Sequence, residues 1–354
     1  MVEARAVARI AVIGAGMMGS ALCVPLADRG HDVRLVGTPL DGDVVRSLRM
    51  TRRHPRLGID LPAGVRVFDA SELTRAADDA DAFVLGVSSA GVGWAARALS
   101  PTLAQHDRPV LMLSKGLELG SDGLRVLTDV FAEAVAPVGG ACSPVAVCGP
   151  CIAGELGRRV PTLVVLTGRD RALAQTFADW LQTGYYLPRV QADVVGVQLC
   201  AALKNAYAMG IALGAGLHER AGGGPGSVAM HNYEAPVFAQ AMLEMRLLVA
   251  RLGGDVESVW GLAGSGDLTV TCNGGRTGRF GALLGRGHTA SEAREQMQGA
   301  TLECLEVLSV LERFLAGPSA GSLARSDLPL LSHLIELGLH EAPLSMPFRE
   351  FFRA

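Results

Sequence analysis

Short apolar runs alternate with helical segments in the first half of the chain. The runs consist mostly of Val, Leu, Ile and Ala, which is typical of strands covered by helices on both faces. They predict strands at Ala8–Ile13, Val33–Val36, Ala82–Val87, Val110–Ser114, Val145–Cys148 and Thr162–Thr167. Helical patterns such as Met17–Arg29 and Leu124–Ala134 lie between them. This alternation predicts a doubly wound, parallel α/β sheet.

The pattern changes near residue 195, after which only helical spacing is found. The predicted helices are Leu199–Gly214, Ala235–Leu252, Val256–Gly261, Phe280–Gly285, Ser291–Gln296, Leu302–Leu315 and Leu328–Leu337. A glycine-rich loop, Gly222–Gly226, separates the first two. We therefore expect an α/β domain over residues 1–194 and an all-helical substrate and catalytic domain over residues 195–354.

The composition narrows the class of protein. Nearly half of the 354 residues are hydrophobic and the net charge is only −3, so no nucleic acid or membrane partner is expected. The longest apolar stretch, Leu199–Leu217, contains Lys204 and Asn205, which favours a buried helix over membrane insertion. Seven scattered cysteines and the lack of a signal-peptide pattern favour the cytoplasm. No metal is expected.

A glycine motif directly follows the first predicted strand. In Gly14-Ala-Gly16-Met-Met-Gly19, the first glycine allows a tight turn and the second lets the backbone approach a pyrophosphate. Gly19 lets the following helix pack close to the strand, and the start of that helix presents N–H groups to phosphates. Because the motif lies between a strand and a helix, it predicts a Rossmann domain that binds a dinucleotide.

The residues after the second strand normally separate NAD from NADP. An acid there would bind the ribose 2′-hydroxyl, whereas an arginine would favour a 2′-phosphate. The chain reads Val36-Gly-Thr38-Pro39, so Thr38 is the candidate cofactor contact; Asp41 and Asp43 come late, and Arg52 and Arg53 lie downstream. The cofactor is NAD or NADP, with a slight lean towards NADP or dual use.

Lys204 is the leading candidate for acid–base chemistry. Hydride transfer to a ketone needs a proton donor near the carbonyl oxygen, and burial without a partner lowers the pKa of a lysine towards that task. Lys204 and Asn205 lie in a segment that is apolar nearly all round. A lysine that reaches the surface or pairs structurally with an acid is the alternative. Lys115 follows a predicted strand at the sheet edge where ligands bind, although a surface lysine is the plainer interpretation.

Two further clusters carry polar chemistry. The segment from Gly264 to Arg279 contains Asp267, Thr271 and Arg276 among several glycines. The arginine could bind a phosphate, and the acid could orient a hydroxyl group or Lys204. The alternative is that the acid only caps a helix. Cys148-Gly-Pro-Cys151 has the spacing of a thiol redox pair. Its place in a nucleotide-binding sheet favours a ligand-facing turn instead.

Taken together, these motifs resemble the soluble NAD(P)-dependent glycerol-3-phosphate dehydrogenases. The resemblance covers almost the whole chain and rests on the order of seven common motifs: Gly14–Gly19, Ser114–Glu118, Gly149–Ala153, Ala202–Asn205, Gly266–Leu268 with Thr271-Cys272, Gly274–Arg276 and Gln298-Gly299.

The resemblance implies the reduction of dihydroxyacetone phosphate to sn-glycerol 3-phosphate, in a homodimer. It makes Lys204 the proton donor and acceptor, assisted by Lys115 and Asp267. The implied substrate contacts are Lys115, Gly149, Cys151, Asn205, Asp267, Thr271, Arg276 and Thr277. The implied cofactor contacts are Gly14, Gly16, Met17, Met18, Gly19, Thr38, Lys115, Ala153, Arg276 and Gln298.

Departures from the family pattern leave alternatives open. The family usually has Ser or Asn in place of Cys151 and an Arg-Asn pair where this chain has Arg276-Thr277, and the segment after Gly214 also differs. Such changes can alter which substrate is accepted, so a related ketose phosphate or polyol is one alternative. A second alternative is a β-hydroxyacid dehydrogenase of the 6-phosphogluconate group, although these enzymes usually space Lys and Asn four residues apart. The remaining two are a nucleotide-binding sensor that has lost catalysis and a thiol-redox enzyme.

Overall fold

The computed structural model describes residues 7–105, 107–138, 142–224 and 229–352. It divides the chain into two compact units. The sheet unit comprises Met1–Lys115 and Leu127–Val194, and the helical unit comprises Gly116–Val126 and Val195–Ala354.

Ten strands are found among the described residues. In chain order they are β1 (Arg9–Ile13), β2 (Asp32–Val36), β3 (Arg66–Phe68), β4 (Ala82–Leu85), β5 (Val110–Met112), β6 (Leu117–Gly120), β7 (Gly123–Val126), β8 (Val145–Cys148), β9 (Thr162–Gly168) and β10 (Tyr186–Val190). Eight of them form one sheet in the order β10-β9-β8-β5-β4-β1-β2-β3. The predicted doubly wound architecture is confirmed, since the chain runs outward from β1 in both directions.

The sheet is parallel from β3 to β8, and β9 then pairs antiparallel with β8. The helices of this unit are α1 (Met17–Asp28), α2 (Gly42–Thr51), α3 (Leu73–Ala77), α4 (Val92–Gln105), α5 (Leu127–Val135), α6 (Ala153–Leu156) and α7 (Arg171–Leu181). Ile10 and Val12 of β1 belong to one core cluster, whereas Ala11 and Ile13 belong to a second. Successive side chains of a strand point to opposite faces, so both faces of the sheet are buried.

Four strands were not predicted, and each has a physical reason. Strands β3 and β10 are the two edges of the sheet, and β10 contains Pro188, which lacks a backbone donor and is typical of an edge. Strands β6 and β7 form a separate antiparallel hairpin. The predicted helix Leu124–Ala134 is therefore wrong at its start: residues 124–126 belong to β7, and the helix begins at Leu127.

The helical unit contains eight described α-helices and the β6–β7 hairpin. The helices are α8 (Val194–Arg220), α9 (His231–Arg251), α10 (Glu257–Trp260), α11 (Asp267–Cys272), α12 (Gly275–Gly285), α13 (Ala290–Gln296), α14 (Glu303–Ala316) and α15 (Pro329–Leu339). They include all seven helices predicted after residue 195, and α11 is additional. Residues 225 and 226 of the predicted glycine-rich loop lie outside the described residues.

Helix α8 is buried on nearly every side. By length and composition it could cross a membrane, but 94% of its apolar window is buried inside the protein. Gly281 of α12 lies against α8, and a Cβ there would collide with the Met209 carbonyl oxygen. Close backbone contact of this kind explains why an apolar helix can be packed from several sides.

Candidate active site

The glycine motif forms the turn between β1 and α1. Gly14 has φ +112°, and a Cβ at this position would lie 2.7 Å from the Gly86 carbonyl oxygen. A Cβ at Gly19 would overlap the carbonyl oxygen of Gly14. Only glycine fits both positions, which is the close strand–helix approach predicted from the motif.

Gly16 is the N-cap of α1, and no side chain caps this helix end. The first turn of an α-helix has N–H groups without partners inside the helix, and its dipole favours a negative charge. The first turn of α1 also contains no acidic residue that would compete for these groups. The turn therefore fits the pyrophosphate of NAD or NADP.

Asp41 occupies the end of β2, although its sequence position suggested that it comes too late. Its Oδ2 accepts hydrogen bonds from the Thr38 backbone N–H at 2.8 Å, the Thr38 hydroxyl at 2.8 Å and the Ala15 N–H at 3.1 Å. A tight turn after Thr38 returns the carboxylate to the strand end. The acid was visible in the sequence, but the sequence did not show the path of the turn that brings it back to the strand.

The two arginines considered for a 2′-phosphate make other contacts. Arg52 donates to the Val65 carbonyl at 2.8 Å and to the Pro62 carbonyl. Arg53 lies 3.5 Å from the Asp60 carboxylate. The lean towards NADP rested on the missing acid at the end of β2 and on these arginines. Asp41 now occupies that end and the arginines bond within the protein, so neither observation favours NADP over NAD.

The carboxyl ends of β5 and β8 lie at the same sheet edge as the glycine turn. Lys115 follows β5, and its Nζ donates to the Gly149 carbonyl at 3.4 Å. Gly149 begins the turn after β8, where Cys151 Sγ lies 4.0 Å from Met18 Sδ of α1. A small apolar cavity is lined by Met18, Leu22, Leu113, Lys115, Cys148 and Cys151, among others. Ala153 begins α6 directly after this turn.

In the helical unit, Lys204 of α8 forms an ion pair with Asp267 of α11. Lys204 is 7% exposed and Asp267 is 1% exposed. The lysine is therefore buried as predicted, but with an acidic partner. An adjacent carboxylate favours the charged ammonium and opposes the effect of burial.

Asn205 follows Lys204 and is also buried, at 3% exposure. Its Nδ2 finds no hydrogen-bond partner among the described residues. A buried amide nitrogen in this situation needs an explanation, and a bound ligand oxygen is one.

Asp267 is preceded by a π-helix, Leu262–Gly266. Single π-helical turns are rare and occur frequently at functional sites. Gly264 lies in this turn, and a Cβ there would collide with the Val259 backbone. The glycines of this segment therefore permit a tight backbone path that ends at Asp267.

The remaining predicted residues of this unit lie nearby in sequence. The Thr271 hydroxyl donates to the Asp267 carbonyl at 2.7 Å. Arg276 is exposed and pairs with Glu303 at 2.8 Å, while Thr277 is buried. Gln298, after α13, has φ +49°, a conformation that a non-glycine residue rarely adopts.

Sequence reasoning missed Glu244, which is fully buried. Its carboxylate accepts from the Tyr207 hydroxyl at 3.1 Å, the Gln240 amide at 2.9 Å, and the N–H groups of Leu330 and Leu331 at 2.7 and 2.8 Å. Burial raises the pKa of Glu244 to about 7, against the effect of these four donors. No periodicity or motif marked this residue.

A doubly wound sheet with an uncapped glycine turn, together with a helical unit that buries a lysine–aspartate pair, is typical of a nicotinamide-dependent dehydrogenase. Two family models match the chain: the N-terminal part of NAD-dependent glycerol-3-phosphate dehydrogenase at residues 9–174 and its C-terminal part at residues 193–344. The chain therefore belongs to the NAD-dependent glycerol-3-phosphate dehydrogenase family.

Individual relatives agree with this assignment. The NADP(+)-dependent glycerol-3-phosphate dehydrogenase of Archaeoglobus fulgidus is 36% identical over 86% of this chain and 88% of its own length. The NAD(P)(+) enzyme of Edwardsiella ictaluri is 34% identical over 87% and 88%. The crystal structure of glycerol-3-phosphate dehydrogenase from Coxiella burnetii has a TM-score of 0.81 at 26% identity and covers 96% of this chain and 97% of that one.

Proposed function

We propose that Lys204 is the general acid and base of an NAD(P)-dependent reduction of dihydroxyacetone phosphate to sn-glycerol 3-phosphate. Family membership makes this the reaction, and it does not favour the 6-phosphogluconate alternative. The observation that carries the role of Lys204 is its buried pair with Asp267. The adjacent Asn205 amide nitrogen, which has no hydrogen-bond partner in the described part of the chain, adds to it. The cofactor, when bound, supplies a hydride to the carbonyl carbon.

The residues of the helical unit then manage the proton. The carboxylate of Asp267 keeps Lys204 in its ammonium form, which can donate a proton to the carbonyl oxygen as negative charge develops there. In the reverse direction the neutral amine accepts a proton from the alcohol. Asn205 donates a hydrogen bond to a substrate oxygen, which satisfies its buried amide.

The basic residues of the chain support a special role for lysine. The chain contains 30 arginines but only two lysines, Lys115 and Lys204. Arginine cannot give up its proton at any pH that proteins tolerate, whereas lysine can. In a chain that otherwise uses arginine, lysine at these two positions is expected where an ammonium must exchange a proton or act as a compact point charge.

The phosphate of the substrate needs cations. Arg276 can exchange its partly exposed partner Glu303 for a phosphate and bind two of its oxygens in parallel. Lys115 is proposed to neutralise negative charge on the substrate or cofactor at the sheet edge. Gly149, Cys151, Thr271 and Thr277 are proposed to contact the substrate, and Gly14, Gly16, Met17, Met18, Gly19, Thr38, Ala153 and Gln298 the cofactor.

We also propose a cytoplasmic homodimer without membrane insertion. The burial of 94% of the apolar window of helix α8 supports the lack of membrane insertion, whereas the dimer and the location are carried over from the family resemblance. Sedimentation of the purified protein tests the dimer.

The test of the function uses purified protein, NADH or NADPH, and a panel of ketose phosphates, with cofactor absorbance as the readout. We expect oxidation of the cofactor with dihydroxyacetone phosphate, and a fall in kcat of about 10²-fold or more in Lys204→Ala. Lys204→Arg is the matched control, because it keeps the positive charge beside Asp267 but cannot transfer the proton. Full activity in Lys204→Arg would contradict the acid–base role while leaving the reaction in place.

A further inference from the structure

The peptide groups around Ala15 are hydrogen-bonded from two sides. Its N–H donates to the Asp41 carboxylate at 3.1 Å. Its carbonyl lies 3.1 Å from Nε2 of His54 and also accepts the Ser20 hydroxyl at 3.2 Å. Ala15 is the residue between Gly14 and Gly16 of the glycine turn, and all of these residues belong to the sheet unit.

The tautomer of His54 follows from its other contacts. Its Nδ1 accepts the N–H groups of Arg56 and Leu57, both at 3.2 Å, so the hydrogen must be on Nε2 and is donated to Ala15. His54 is fully buried, and this burial lowers the pKa of the imidazole. Because Nδ1 accepts two N–H groups and so carries no hydrogen, the ring is neutral and both of its nitrogens have defined hydrogen-bonding roles.

The loop that carries His54 is itself well held. The N–H of His54 donates to the Ile59 carbonyl at 2.9 Å, and the N–H of Gly58 donates to the His54 carbonyl at 2.9 Å. Leu57, Ile59 and Leu61 belong to the core cluster on one face of the sheet. The imidazole is thus presented to the glycine turn from a packed segment.

Holding the Ala15 carbonyl also sets the direction of the next N–H group. A trans peptide is planar, so the N–H of Gly16 points opposite to the carbonyl of Ala15. Gly16 lacks a Cβ and is the N-cap of α1, where the backbone would otherwise have access to several conformations. The bonds from the His54 ring and the Ser20 hydroxyl both oppose a flip of this peptide, and His54 supplies the one that comes from outside the turn and its helix.

We propose that His54, together with Asp41, is a positioning residue for cofactor binding, which acts by fixing the two peptide groups of Ala15 in the glycine turn. This inference rests on the proposed placement of the cofactor at that turn. Its consequence is that the affinity for NAD(P)H depends on a histidine that is buried beneath the turn.

Two substitutions separate the two ring nitrogens. His54→Asn keeps an acceptor near the position of Nδ1 but loses the donor to Ala15, whereas His54→Gln keeps a donor near the position of Nε2. We expect the Kd for NADH or NADPH, measured by fluorescence titration, to rise about tenfold in His54→Asn, as for the loss of one buried hydrogen bond. His54→Gln should restore most of the affinity. The kcat at saturating cofactor and the KM for dihydroxyacetone phosphate should stay within about twofold.

His31 provides a matched control in the same unit. It is also buried, its Nδ1 accepts the Ala8 N–H at 3.1 Å, and its Nε2 lies 3.0 Å from the Trp180 carbonyl. It precedes β2, so it lies at the opposite end of the strands from the glycine turn. His31→Asn should lower the thermal midpoint of the apo protein as much as His54→Asn does, with an unchanged Kd.

The outcomes are distinct. Wild-type affinity in His54→Asn, or an equal loss of affinity in His31→Asn, overturns the positioning role. If Gly16→Val also binds cofactor as the wild type does, the proposed cofactor site itself is wrong. Should His54→Asn not fold, Asp41→Ala releases the N–H side of the same residue and is expected to weaken binding; unchanged affinity there overturns the inference.

Discussion

The buried carboxylate of Glu244 should make the stability of the protein fall as pH rises, which is the reverse of the effect of most carboxylates. Each of its oxygens accepts two hydrogen bonds, from the Tyr207 hydroxyl and the Leu331 N–H on one side and from Gln240 and the Leu330 N–H on the other. The perturbation is Glu244→Gln, which keeps the shape of the side chain but cannot ionise.

The sign and magnitude follow from the pKa. Burial raises the pKa of Glu244 from 4.5 to about 7. Below pH 4.5 the residue is protonated in both the folded and unfolded states, and its contribution to stability is fully present. As pH rises through about 7, this contribution is lost, and the difference amounts to about 3 kcal/mol. The substituted protein lacks this dependence because the amide does not titrate.

The assay is urea unfolding of wild type and Glu244→Gln, followed by circular dichroism, at several pH values from 5 to 8.5. All other titrating groups are shared, so they cancel in the difference between the two free energies of unfolding. We expect the wild type to lose about 2–3 kcal/mol relative to Glu244→Gln across this range, with Glu244→Gln less stable at pH 5 by about one hydrogen bond. Two parallel curves would refute the reasoning, because they would mean that Glu244 ionises equally easily in both states.

Three further predictions concern the site. Asp267→Asn leaves the buried Lys204 ammonium without its carboxylate and should lower the free energy of unfolding by about 3–5 kcal/mol. The double variant Lys204→Met/Asp267→Leu should recover part of this loss. Additive losses in urea unfolding would contradict the coupling between the two residues. Gly14→Ala places a Cβ 2.7 Å from the Gly86 carbonyl oxygen at φ +112° and should cost about 1–3 kcal/mol, so a wild-type thermal midpoint would be unexpected. Arg276→Lys keeps the charge but loses the bidentate hydrogen bonds to the substrate phosphate, so the KM for dihydroxyacetone phosphate should rise about tenfold or more. An unchanged KM would exclude a bidentate contact between Arg276 and the phosphate.

The central part of the sheet was readable from the sequence because its strands are apolar on both faces. Strands β1, β4 and β5 lie in the middle of the sheet, and all of their residues except Arg9 are buried. The edge strands β3 and β10 have polar positions and weak patterns, since one side of each strand lacks a neighbour. The hairpin of β6 and β7 was missed for a related reason: it is short and lies outside the main sheet.

The candidate site divides in the same way. The glycine turn was predictable because its residues are within six positions of one another and their conformations are set locally. The pair of Lys204 and Asp267 joins residues 63 positions apart, and the sequence could only raise it as one of several roles for the acid. The late sequence position of Asp41 suggested that no acid lies at the end of β2. In the structure, the turn after Thr38 returns the Asp41 carboxylate to that strand end.

By itself the sequence determined the class of protein: a dinucleotide-binding sheet followed by helices, with two lysines and one acid as candidates for chemistry. These features are encoded by short-range periodicity and by glycines whose backbone conformation is local. Only the tertiary structure decided the partners: Asp267 for Lys204, His54 and Asp41 for Ala15, and the start of α15 for Glu244. Such contacts depend on how distant segments pack together, and a buried polar group must then find its partner wherever the packing places one.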